Sequence, residues 1–114
     1  MFAISPATKI YLAAGFTDMR LGFNGLSALV ENQMKHNPLS GHLFAFCNKR
    51  RNRLKILYWD GSGLICCAKR LEKGRFTWPV DPTSSLEYNR ENFLMLLSGL
   101  ELGKIQRKNW YRHE

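Results

Sequence analysis

From His42 to Pro79 the chain adopts a period of two. HLFAFCN, RLKILYW, LICCAKR and RFTWP are four short runs rich in β-branched and aromatic residues, separated by the turn signals NKRRN, DGSG and LEKG. Runs this close together pair with their neighbours in antiparallel fashion, because a parallel return needs a crossover of a dozen residues or more. The block predicts a meander of three or four strands.

Side chains alternate along a strand, so register decides which residues share a face. A two-residue turn at Asp60-Gly61 and a four-residue loop at Asp60 to Gly63 give the same parity for the central hairpin. One face then carries Leu54, Ile56 and Tyr58 with Ile65, Cys67 and Lys69, and is expected to be the core. The other carries Arg53, Lys55, Leu57 and Trp59 with Leu64, Cys66, Ala68 and Arg70, and is expected to face outward. A five-residue loop over Asn48 to Asn52 would add Phe44 and Phe46 to the Leu54 face.

Before the meander, Lys9 to Ala14 (KIYLAA) reads as a first strand stopped at Gly15. Thr17 or Asp18 is a candidate cap for a helix whose apolar stripe is Phe23, Leu26, Leu29, Val30 and Met34, ending near His36 before Asn37-Pro38. Gly22 and Gly25 early in that helix point to close packing against another backbone or to a distorted first turn. After Pro79 comes the turn-rich VDPTSS. Asn89 can then cap a short helix carrying Phe93, Leu96, Leu97 and Leu100, closed by Gly99 or Gly103. The expected fold is α+β, with both helices on one face of the sheet. Residues 1–103 form one domain and 104–114 a polar, basic tail without an assignment.

The charge is concentrated. Of the net +8, residues 1–48 contribute +1, residues 49–75 contribute +7 and residues 76–114 contribute nothing. Lys49, Arg50 and Arg51 at the hairpin tip, with Arg53, Lys55 and Arg70 on the outer face, are expected to form one patch. Trp59 and Leu57 lie at its far end, Lys73 and Arg75 extend it from the next turn, and Lys69 is the remaining cation of the block. Such a density of positive charge favours a phosphate backbone or an acidic protein surface. A basic two-stranded ribbon matches the width of a DNA major groove, and a neighbouring aromatic can stack on an exposed base. Six phosphate contacts would give a logarithmic salt slope of roughly 5 on duplex DNA.

Catalytic chemistry finds little support. The three Asp residues, Asp18, Asp60 and Asp81, all fall at caps or turns. His36, His42 and His113 lack metal-ligand spacing, and there is no phosphate-loop motif. Cys47, Cys66 and Cys67 are an odd set with an adjacent pair on one strand, which argues against a disulfide framework and for a reducing cytoplasm. No apolar run reaches membrane-spanning length, and no cofactor is expected.

GFTDMR at Gly15–Arg20, Gly22-Phe23, Gly25-Leu26, Leu29-Val30, SGHLF at Ser40–Phe44, Lys55-Ile-Leu57, WDG at Trp59–Gly61, Gly63-Leu64, KRLE at Lys69–Glu72 and GRFTWP at Gly74–Pro79 form an ordered succession. It resembles the TnpB (Orf-two-like) accessory proteins of IS-sixty-six-type bacterial insertion sequences. Leu21 and Asn24 depart from that pattern, standing where the family tends to be basic and acidic. The resemblance implies a small protein that acts in transposition beside a separate, larger transposase, with no known active site. Two functional readings follow: the basic hairpin binds element DNA together with the transposase, or it docks on an acidic surface of the transposase without touching DNA.

Overall fold

LFAFC is buried at all five positions, so Leu43–Cys47 has protein on both of its faces. A continuous apolar run with no polar side is the pattern of a strand covered above and below. The computed structural model, which describes residues 5–80 and 86–99, makes this segment the middle strand of a five-stranded sheet. In chain order the elements are β1 (Ile10–Leu12), α1 (Phe23–Asn32), β2 (Leu43–Cys47), β3 (Arg53–Trp59), β4 (Leu64–Arg70), β5 (Leu86–Tyr88) and α2 (Arg90–Leu97). The sheet order is β4-β3-β2-β1-β5.

The expected meander accounts for β2, β3 and β4, which pair antiparallel. The sheet is nonetheless mixed. β1 runs parallel to β2, pairing Ile10 with Leu43 and Leu12 with Ala45, and α1 makes the crossover between them. β5 adds an antiparallel edge beyond β1. RFTWP is not a fourth ladder strand. The Phe76 N–H goes to the Arg51 carbonyl in the β2–β3 turn, and Phe76 and Trp78 turn inward as core side chains. The buried Trp78 indole donates to the Ala13 carbonyl at 3.0 Å, which satisfies its one polar atom.

The two helices cover opposite faces of the sheet rather than the same one. Leu26, Val30 and Met34 pack with Phe44, Phe46 and Leu57 on one side. Phe93, Leu96, Phe76 and Trp78 pack with Ala45, Cys47, Leu54 and Ile56 on the other. The β3–β4 register agrees with the expected parity: Trp59 pairs with Leu64 across a four-residue loop, and Asp60 Oδ1 accepts hydrogen bonds from the Ser62 and Gly63 amides. The β2–β3 parity does not. Asn48 joins the ladder by donating its N–H to the Arg53 carbonyl, so the loop is the even four-residue Lys49–Asn52 and Phe46 faces Lys55 instead of Leu54. Phe44 and Phe46 therefore lie on the α1 side.

The helix ends also differ from expectation at one point. Asn89 caps α2 by accepting from the Asn92 amide at 2.8 Å, and Gly99 follows the helix with φ +81°. Leu100 and Gly103 lie outside the described residues, as does the tail. α1, by contrast, starts at Gly22 without a side-chain cap. Asp18 accepts instead from the Arg20 backbone and guanidinium. Gly25 has a packing role, since a Cβ there would come within 2.7 Å of the Leu21 side chain. No helix among the described residues is long and apolar enough to cross a membrane.

Candidate nucleic-acid interface

With both faces of the sheet covered, the hairpin is no free-standing ribbon. Leu57, expected outside, is 0% exposed beneath α1, and Leu64 and Cys66 pack against the same cluster. What stays open is the end of the sheet where the β2–β3 turn meets the segment after β4. Two backbone bonds clip these together: Leu71 N–H to the Asn52 carbonyl at 2.8 Å, and Phe76 N–H to the Arg51 carbonyl at 2.7 Å. The clip brings Lys49, Arg50 and Arg51 to the same end as Lys73 and Arg75, with Arg53 and Arg70 on the last pair of the β3–β4 ladder.

The turn itself is shaped by Asn48. Its Oδ1 accepts from the amides of Asn52 and Arg53, both at 3.0 Å, and its Nδ2 donates to Asn52 Oδ1 at 2.8 Å. Arg51 closes the turn at φ +61°, a left-handed backbone that a side chain with a Cβ adopts at a cost of about 1–2 kcal/mol.

Three of the expected residues stand away from the clipped turns, although Lys55 and Lys69 still line the larger of the depressions there. Lys55 is half-buried and donates to the Leu21 carbonyl at 2.9 Å, tying the approach to α1 onto β3. Lys69 is on the opposite face of the sheet, where its ammonium reaches the Leu97 carbonyl at the end of α2 at 2.7 Å. That contact suits the negative end of a helix dipole. Trp59 is at the other end of β3, six residues from Arg53 and so about 20 Å away.

Two adjoining depressions run along the cationic end. One, of about 500 Å³, is lined by Met19, Arg53, Leu54, Lys55, Ala68, Lys69, Arg70 and Glu72. The other, of about 440 Å³, includes Thr17, Asp18, Lys49 and Arg50, and shares Met19 and Arg53 with the first. Residues 17–19 thus form a wall that the charge pattern alone did not reveal. The signal available in the sequence was the block TDMR, which stands out among the motifs yet carries little net charge.

At this end cations outnumber the two carboxylates, Asp18 and Glu72, and each carboxylate is paired. Asp18 is held down at about 2 by its side-chain hydrogen bond to Arg20, so it stays ionised and occupied by that partner. Arg70 pairs with Glu72 at 3.1 Å. Among the described residues, Lys49, Arg50, Arg51, Arg53, Lys73 and Arg75 enter no ion pair. Arg53 and Arg70 stand directly opposite each other in the ladder, a like-charge juxtaposition that costs stability.

Elsewhere the chemistry is structural. Burial pushes the Cys47 thiol up to about 12 and raises that of Cys66, and all three cysteines are free thiols. Among the described residues no group of three His, Cys, Asp or Glu is arranged to hold a metal ion. His36 stacks on Tyr11 with ring centroids 4.0 Å apart, and His42 Nδ1 accepts from the Lys9 amide at 3.0 Å.

The fold and site define a small mixed α+β domain with a preformed cationic end. Residues 8–107 match the IS66 Orf2 like protein family, and the chain belongs to that family of transposition-associated accessory proteins. It is 39% identical over 108 residues to the uncharacterized protein y4jC of Sinorhizobium fredii (strain NBRC 101917 / NGR234), covering 95% of this chain and 92% of the relative. It is 38% identical over 93 residues to the uncharacterized protein y4hO of the same organism, covering 82% and 81%. No solved structure matches the chain.

Proposed function

We propose that this protein is a non-catalytic accessory factor of DNA transposition that holds element DNA on the cationic end of its sheet, alongside a separate transposase. The observation that carries this reading is a cluster of six cations without ion-pair partners at the end of the sheet where two turns are clipped together and Arg53 faces Arg70 across the ladder. Folding gains nothing from gathering these charges, whereas a polyanion gains a contact for each of them. Family membership supplies the setting, a transposable element with its own DNA ends.

An anisotropy titration against element-end DNA at several salt concentrations tests the reading. If the six cations all meet phosphates, the logarithmic slope is about 5 on duplex. Replacing Lys49, Arg50 and Arg53 by Ala lowers that slope by about 3 and weakens binding irrespective of sequence. Absence of binding at low salt, or a triple variant that binds as tightly as the parent, overturns it. A complex with the transposase that survives complete nuclease digestion and is lost in the same variant would move the patch to a protein partner.

A further inference from the structure

The described chain has six phenylalanines of two kinds. Phe44, Phe46, Phe76 and Phe93 are each 0% exposed, whereas Phe16 is 45% and Phe23 51% exposed. The two exposed rings bracket residues 17–22, the segment whose first three residues wall the cationic groove. That segment is pinned at both ends: the Thr17 N–H donates to the Cys47 carbonyl at 2.7 Å, and Lys55 Nζ donates to the Leu21 carbonyl at 2.9 Å. Wall and floor are therefore preformed, and the cost of ordering the groove is met by folding rather than by the ligand.

We propose that this groove takes unpaired nucleotides of single-stranded DNA, with the phosphates on Lys49, Arg50, Arg53 and Arg70 and bases stacked on Phe16 and Phe23. The inference rests on the DNA-binding reading above and narrows it. Reading a duplex through its major groove requires an element that projects into a channel about 12 Å wide. The hairpin is instead braced against the body, with α1 packed on Leu57 of β3 and α2, Phe76 and Trp78 packed on Leu54 and Ile56, so it does not project as a free ribbon. What the molecule presents is a concave cationic track whose wall, residues 17–19, is flanked along the chain by the exposed rings Phe16 and Phe23, and a cationic track with exposed aromatics is the combination that binds bases without reading their sequence.

The test compares a labelled oligothymidylate with a labelled hairpin duplex of equal length, using the full chain. Expected are tighter binding to the oligothymidylate and a salt slope near 3 on it, about 0.7 for each of the four cations named, against about 5 on the duplex if all six unpaired cations meet phosphates. Phe16→Ala and Phe23→Ala each lower affinity for the single strand about 5- to 100-fold and leave the duplex affinity unchanged. Both side chains lie outside the two buried clusters, so the variants keep the parent's circular dichroism and melting behaviour. Equal or tighter binding to the duplex, or single-strand affinity indifferent to both substitutions, overturns the groove and leaves the DNA-binding reading intact. Failure of both probes to bind at low salt removes the reading and the inference together.

Discussion

Asp18 and Asn89 have the same local credentials as helix caps, yet only Asn89 acts as one. The difference is where the helix starts: Gly22 precedes the first residue of α1, so Asp18, further back in the chain, is not at a capping position. Asn89 stands immediately before Arg90, the first residue of α2, so its side chain reaches the Asn92 amide. Asp18 is claimed by Arg20 through three nitrogens at 2.7–3.1 Å, an arrangement that two side chains settle between themselves. A residue-by-residue reading sees the cap potential of an Asp and not where the helix begins. The same contact predicts a titration. The Asp18 value of about 2 lies below the ordinary 3.8, so whatever stability the pair lends is fully present above pH 3.8 and is lost as pH falls through about 2. That stability is small, because both side chains face water. Carbon-13 NMR should place the Asp18 midpoint near 2, and Arg20→Gln should return it to the ordinary carboxylate range. An unmoved midpoint in that variant would assign the shift to another group.

At the level of elements, the turns decided how much was legible. DGSG left the parity of the β3–β4 hairpin the same for either plausible loop, and the expected sharing of one face by Leu54, Ile56 and Tyr58 with Ile65, Cys67 and Lys69 is the one observed, through the four-residue loop. NKRRN carried no such protection. Its outcome turned on whether Asn48 belonged to the loop or to the ladder, and the bond from its N–H to the Arg53 carbonyl placed it in the ladder. That one-residue difference moved Phe44 and Phe46 to the other face and supplied a second core for α1 to cover. The parallel β1–β2 pair escaped notice for a related reason, since period and turn chemistry describe neighbours in sequence and not a return through a helix. The corrected register has an energetic consequence at Leu57. An outward leucine tolerates truncation, but one packed with Phe44, Phe46 and Leu26 leaves a cavity, so Leu57→Ala should cost about 2–5 kcal/mol. Urea denaturation measures this directly, and a loss within about 0.5 kcal/mol would mean that the second core is not there.

Across the whole molecule, folding and charge pull against each other at one end. The sheet is closed off by apolar packing above and below, while its cationic end gathers six side chains that repel one another and have no ion-pair partner among the described residues. The basic block was plain in the sequence because net charge needs no fold to be counted. Which of its members keep their charge uncommitted was not, because Lys55 and Lys69 are bonded to backbone carbonyls from other parts of the chain. The conflict is sharpest where Arg53 faces Arg70, and there it can be reversed by one substitution. Arg53→Glu turns a repulsive cross-strand pair into an attractive one and should stabilise the protein by about 0.2–1 kcal/mol at low salt. The same change puts a carboxylate into the lining of both depressions and should weaken DNA binding by more than Arg53→Ala does. Denaturation and anisotropy on one preparation read both effects. A gain in stability together with a loss of binding is the signature of charge kept for a partner rather than for the fold. A variant that loses stability would show that Arg53 holds the β3–β4 end together, and a variant that binds DNA as before would place the nucleic acid elsewhere on the molecule.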